Sequence, residues 1–186
     1  MFDNTYREGA ALIDSGTEVK DSEFESDVRA LIPRAMTRWP LPDPMRAALD
    51  EALRAQDAGE VPIGAVIVKD GEVIAVAHNQ PRTLRDPTAH AEVLAIRAAA
   101  QALGQERLDG CDLWVSLEPC AMCAGAIVHA RIARVYYAAS DPKGGAVEHG
   151  ARVFDQPTCL HRPEVYSGMG EDEAAQILRG FFRARR

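Results

Sequence analysis

The chain has 186 residues, a length that favours one domain with an appendage and a core that needs no disulfide staples. Apolar residues make up 47% and charged residues 26%, the ordinary globular balance, which excludes wholesale disorder. The 28 acidic and 21 basic residues leave a net charge of −7, which argues against a protein that holds nucleic acid by a large positive surface.

Residues 1–44 differ in character from the rest. They hold nine acidic and five basic residues, a net −4, while the remaining 142 residues carry −3. A short helix is expected where Ser22 and Glu25 form a capping box and Phe24, Val28, Leu31 and Ile32 share a face; Pro33 would end it. Pro40, Pro42 and Pro44 then mark a stiff linker. The segment reads as an acidic, mobile N-terminal extension, with Met45 as the natural start in the sharper alternative. No apolar signal region opens the chain, and no run nears the ~18 apolar residues a spanning helix needs. A cytoplasmic protein with no membrane partner is expected.

From Asp43 the pattern becomes helical, with Asp43 as cap, Pro44 at the first position and Met45, Leu49 and Leu53 on one stripe; Gly59 stops it. Strands at 64–68 and 72–77 flank Asp70-Gly71, a strong hairpin turn. A second helix is expected to open at Asp86-Pro87-Thr88 and run to Gly104. Residues 113–117 read as a short buried strand, and Pro119 as the opening of a third helix to about His129. Residues 132–138 make another strand. Residues 171–182 make a final amphipathic helix with Ala174, Ile177, Leu178 and Phe181 inward. This order predicts a layered α/β domain. Its mixed sheet would hold one antiparallel hairpin and a parallel strand–helix–strand unit around Pro119.

Four cysteines without an export signal read as thiols or metal ligands. Cys111 reads as a buried small hydrophobe, and Cys159 lacks a spaced partner. Only Cys120-Ala-Met-Cys123 has ligand-like spacing. On a helix those two thiols share a face, and the positive end of the helix dipole favours thiolate. His90 sits near the start of another helix. Two helix starts brought together by the sheet would offer one nitrogen and two sulfurs, a set that suits zinc. Three protein ligands are the arithmetic of a catalytic site, because a structural zinc takes four. The open position is left for water, whose pKa zinc lowers to roughly 7. Glu92 need not coordinate and can take the water proton and pass it on. Taken singly, a C-x-x-C is a redox pair or half of a structural site, and a lone His is a surface or core residue. A four-ligand site would have to recruit Cys111, Cys159, His129 or His161, and none has standard spacing. His78, beside Asn79, is expected to be exposed.

His90-Ala-Glu92, followed about thirty residues on by Pro119-Cys120-Ala-Met-Cys123, resembles the zinc deaminase signature. Longer runs are similar to the bacterial tRNA-specific adenosine deaminases. These are Val61-Pro-Ile-Gly-Ala65, Asp86-Pro-Thr-Ala-His90-Ala-Glu92, Leu117-Glu-Pro-Cys120-Ala-Met-Cys123-Ala-Gly-Ala126, Asp141-Pro-Lys143-Gly-Gly145 and Phe181-Phe182-Arg-Ala-Arg-Arg186. The resemblance covers residues 45–186 and implies a deaminase domain there. It implies a three-layer α/β/α, cytidine-deaminase-like fold with a mixed central sheet, assembled as a homodimer. His90, Cys120 and Cys123 would hold one zinc per subunit, with Glu92 as proton shuttle. The implied reaction is hydrolytic deamination of adenosine to inosine at the wobble position of tRNA anticodons, by hydroxide attack on C6. Asn79 would hydrogen-bond the flipped base, and Asp86, Asp141 and Lys143 would line the anticodon pocket. The run Ala146-Val-Glu148-His149-Gly-Ala-Arg152 departs from the family's more apolar Gly-Ser-Leu stretch.

Two rivals remain at this level. One is a deaminase of a free base or nucleoside, guanine or cytosine, on the same scaffold, since the metal chemistry is shared. The other is a zinc-stabilised RNA-binding module without turnover, which would have no need of Glu92. Arg179, Arg183, Arg185 and Arg186 gather positive charge at one end, enough to grip an RNA loop locally.

Overall fold

The computed structural model describes residues 40–185. The expected helix within 22–33 and Arg186 lie outside the described residues. The elements are α1 (Asp43–Asp57), β1 (Gly64–Lys69), β2 (Glu72–His78), the one-turn α2 (Pro81–Leu84), α3 (Ala91–Leu103), β3 (Cys111–Leu117), α4 (Ala121–Ala130), β4 (Arg134–Ala139), a 3-10 turn (Val153–Asp155), β5 (Glu164–Ser167) and α5 (Glu171–Arg183). Among the described residues no helix is long and apolar enough to cross a membrane.

The five strands form one mixed sheet in the order β2-β1-β3-β4-β5. β1 pairs antiparallel with β2 and with β3, and β3, β4 and β5 pair in parallel. The hairpin turns at Asp70 and Gly71, both at positive φ (52° and 85°), as the Asp-Gly pair predicts. Because β2 and β3 both oppose β1, they run the same way, and β4 runs with them. The C-terminal ends of β2, β3 and β4 therefore meet one edge of the sheet. The chain leaving that edge opens α3, α4 and the 140–152 segment, so the sheet delivers all three to one place.

Helices cover both faces. Along β1, Ala65 and Ile67 join Ala95, Leu113, Val115, Ala124 and Ile127 under α3 and α4. Val66 and Val68 join Met45, Leu49, Ala138 and Ala174 under α1 and α5. That double coverage is why β1 is a continuous apolar run instead of an alternating one. On the α1 and α5 side, Trp114, Tyr136 and Tyr166 stack across β3, β4 and β5 with ring centroids 3.9 and 4.9 Å apart. This is the expected three-layer α/β/α fold.

Several boundaries differ from the expectation. α1 is capped by Pro42, whose carbonyl takes the N–H of Arg46 at 3.0 Å, and Asp43 is its first residue without a side-chain cap. α3 begins at Ala91, because Asp86 spends its carboxylate on the N–H and hydroxyl of Thr88 (2.8 and 2.6 Å) in a local turn. Pro119 and Cys120 precede α4. α2 and the edge strand β5 were not expected. In α5, Ala174 and Phe181 are buried, whereas Ile177 and Leu178 are only half-buried.

α1 packs directly on β1 at Gly64, where a Cβ would lie 2.1 Å from the carbonyl oxygen of Ala48. Its N–H is held by the Ser116 hydroxyl at 3.1 Å. Gly64→Ala should therefore lower the urea midpoint, at unchanged slope, by about 1–3 kcal/mol of stability. An unchanged midpoint would contradict this contact.

Candidate active site

His90 is the N-cap residue of α3 and Cys120 that of α4, both in extended backbone conformation and neither making a side-chain cap bond. Their side chains are left to face each other. His90 Nδ1 lies 3.7 Å from Cys120 Sγ and 3.6 Å from Cys123 Sγ. The three ligand atoms all lie within 4.8 Å of one another. Zn–S bonds of about 2.3 Å and a Zn–N bond of about 2.0–2.1 Å in a tetrahedron put nitrogen and sulfur about 3.6 Å apart. The donor set and its edges thus fit zinc, which His90, Cys120 and Cys123 could hold with one position open.

The protonation pattern points the same way. A hydrogen bond from the Cys123 thiol, together with the His90 ring, pulls Cys120 down to about 4. The neighbouring Cys120 sulfur and burial push Cys123 strongly up. The hydrogen bond with Cys120 raises His90. Two thiolates beside a carboxylate repel one another, and a cation removes that conflict.

Glu92, the second residue of α3, is buried, and its Oε2 has no hydrogen-bond partner among the described residues. Burial, reinforced by the Cys120 charge, pushes it up to about 6. A sealed carboxylate oxygen without a protein partner, beside three potential ligand atoms, is placed to bond a water or a substrate.

Asn79 is buried, and its Oδ1 accepts the N–H of Ala91 at 2.8 Å, capping α3 from outside the helix. Its Nδ2 has no partner among the described residues. Asp86 and Asp141 both brace their own loops. Asp141 Oδ1 takes the N–H groups of Lys143 (3.1 Å) and Gly144 (3.0 Å), much as Asp86 takes Thr88. The Lys143 residue is exposed. The structure therefore gathers His90, Glu92, Cys120, Cys123 and Asn79 closely. It leaves Asp86, Asp141 and Lys143 on loops of the same sheet edge.

His78 is half-buried, not exposed, with Nδ1 2.8 Å from Glu51 Oε2 on α1. Cys111 is fully buried, as expected, and burial raises its pKa. Sequence reading missed Glu118, which is buried immediately before Pro119-Cys120 and bonded to residues 141–149. The available signal was a carboxylate closing a buried strand. Burial raises the pKa of Glu118, but hydrogen bonds from the N–H groups of Asp141, His149 and Glu148 and from the His149 ring outweigh it and hold it low.

Residues 42–186 match the family described as MafB19-like deaminase. The tRNA-specific adenosine deaminase of Agrobacterium fabrum is 63% identical over 142 residues, 76% of this chain and 93% of that protein. A solved structure from work on A-to-I editing by tRNA:A34 deaminases superposes with a TM-score of 0.72 at 62% identity, covering 73% of this chain and 98% of that one. A Bacillus subtilis guanine deaminase superposes less well, with a TM-score of 0.53 at 39% identity over 77% of this chain and 91% of that one.

The raised pKa of Glu92 has a sign that can be measured. The folded chain keeps this proton above the ordinary value of 4.5, so the associated stability is full below 4.5 and is lost as pH rises through about 6. In chelator-treated protein, Glu92→Gln should gain up to about 2 kcal/mol at pH 7.5 relative to its effect at pH 4. Equal effects at both pH values would contradict the burial of this charge.

Proposed function

The chain belongs to the MafB19-like deaminase family, with the bacterial tRNA-specific adenosine deaminases among its relatives, and on that premise we propose that it converts adenosine to inosine at the wobble position of tRNA anticodons. The observation that carries the chemistry is the buried Glu92 carboxylate, its Oε2 without a partner among the described residues, beside an imidazole and two sulfurs spaced to suit a zinc tetrahedron. The preference for RNA over a free base rests on relatives. The tRNA enzyme is 63% identical, against 39% for the guanine deaminase.

His90 Nδ1, Cys120 Sγ and Cys123 Sγ would hold one zinc per subunit. When bound, the metal supplies Lewis acidity that brings the pKa of a water to about 7. Glu92, buried beside the ligand atoms with Oε2 unpartnered among the described residues, is placed to accept a proton from the attacking water and to deliver it to N1 as C6 becomes tetrahedral. It then takes the proton of the new C6 hydroxyl and hands it to the departing amino group, so that ammonia leaves as the C6 carbonyl forms. Water and adenosine give inosine and ammonia. Asn79 keeps Oδ1 on the α3 start and offers Nδ2 to the flipped base, so the helix that carries Glu92 also fixes the base. Asp86, Asp141 and Lys143 would meet the anticodon loop from their braced turns. A single-stranded loop keeps the cost of unstacking to a few kcal/mol at most. In this reading residues 45–186 are the deaminase domain and residues 1–44 an acidic extension. The protein works as a homodimer in the cytoplasm.

An anticodon stem-loop with adenosine at the wobble position should yield inosine, with little ammonia from free guanine. Glu92→Ala should keep one zinc per chain and lose at least ~10²-fold in kcat/KM. Guanine turnover with none on RNA would overturn the substrate assignment, and loss of zinc would overturn the role of Glu92. With few phosphate contacts, the log–log slope of RNA affinity against salt should be shallow, about −2 to −3. A steep slope would contradict local gripping by a few lysines and arginines.

A further inference from the structure

Glu118 joins β3 to the Pro119-Cys120 turn, and its side chain is fully sealed from solvent. Its Oε1 accepts three backbone N–H groups, from Val147 (3.1 Å), Glu148 (2.9 Å) and His149 (3.0 Å). Its Oε2 accepts the N–H of Asp141 at 3.0 Å and lies 2.7 Å from His149 Nδ1. All of these partners belong to one segment, the one that leaves β4 at the sheet edge.

The same segment is pressed against the ligand turn by other means. Gly145 bridges to Cys120, and the N–H of Ala146 reaches the Pro119 carbonyl at 2.9 Å. A Cβ on Gly145 would lie 2.4 Å from the Glu118 carboxyl carbon, so only glycine lets the chain close over this carboxylate. Tyr137 of β4 donates to the Glu148 carboxylate. Glu148 and His149 are thus both tied into the body.

A sealed carboxylate is tolerated only when its partners are all in place, because each missing bond leaves a buried charge exposed to its own desolvation cost. That makes Glu118 a device for one arrangement of the segment. The segment also carries Asp141 and Lys143. We propose that Glu118 is a positioning residue for the deamination: it locks residues 141–149 against the metal-ligating turn, and so places Asp141 and Lys143 for the RNA without touching it. This rests on, and deepens, the tRNA deaminase reading.

The test uses full-length, zinc-loaded protein with Glu118→Ala, Glu118→Gln and His149→Ala. Amide exchange at residues 141 and 147–149, zinc content, and kcat and KM on the stem-loop are read for each. Glu118→Ala should speed exchange at these amides at least about tenfold, keep one zinc per chain, and raise KM about tenfold or more with a smaller fall in kcat. Glu118→Gln can still accept at Oε1, so it should recover protection at 147–149 but not at Asp141, where its amide meets another donor. His149→Ala should move KM and exchange in the same direction by less. Unchanged exchange, loosened amides with an unchanged KM, or zinc loss with protection intact would each overturn the proposal. Should Glu118→Ala not fold, the other two variants decide by the same criteria. A parent that makes no inosine overturns the deaminase reading and the kinetic half with it, while its amide exchange still decides the clamp.

Discussion

The contact on which the rest depends is that between the first residues of α3 and α4, where His90 Nδ1 meets two sulfurs within 3.7 Å. A helix start is a rigid platform with a positive dipole end and free N–H groups. Two such platforms meet here because β2 and β3 both run antiparallel to β1 and so release their chains at one edge. His90 and Cys120 take the cap positions without capping, which leaves ring and thiol for each other. The cost is a cluster of potential anions in a buried place: two thiols and Glu92. That cost suits the place to a cation and, without one, burial and the Cys120 charge raise the pKa of Glu92.

Segments that lack sheet hydrogen bonds reach the site under the control of buried polar groups. Glu60, 2% exposed, takes the N–H and hydroxyl of Thr83 at 2.7 and 2.9 Å and so fixes α2. Glu51, 5% exposed, joins α1 to His78 just before Asn79. Asn79 then caps α3 at Ala91. Glu118 holds the 141–149 segment. Each carboxylate bears on a different approach to the site, and each is costly to bury unless its partners are in register. Packing alone would leave these loops a choice of positions. Buried, hydrogen-bonded carboxylates remove it.

Much of this was legible because it is local. The hairpin follows from Asp70-Gly71, the double-faced β1 from its apolar run, and the grouping of His90, Cys120 and Cys123 from their spacing in a known motif. What was misread or missed is either conformational or long-range. Asp86-Pro-Thr has the composition of a helix start, yet its carboxylate closes a turn and α3 waits until Ala91. β5 has four residues, most of them exposed, and too little alternation to register. Glu118 finds partners 23 to 31 residues away, and Asn79 finds Ala91 12 residues away, so nothing in their neighbourhoods announces them.

The account holds that this site exists to act on one adenosine in tRNA. Sequencing total tRNA from cells depleted of the protein tests that most directly, because inosine at the wobble position is read as guanosine and unmodified adenosine is not. The guanosine signal should fall away and return when the active protein is restored, but not with Glu92→Ala. Wobble inosine that persists at its normal level after depletion would contradict the account.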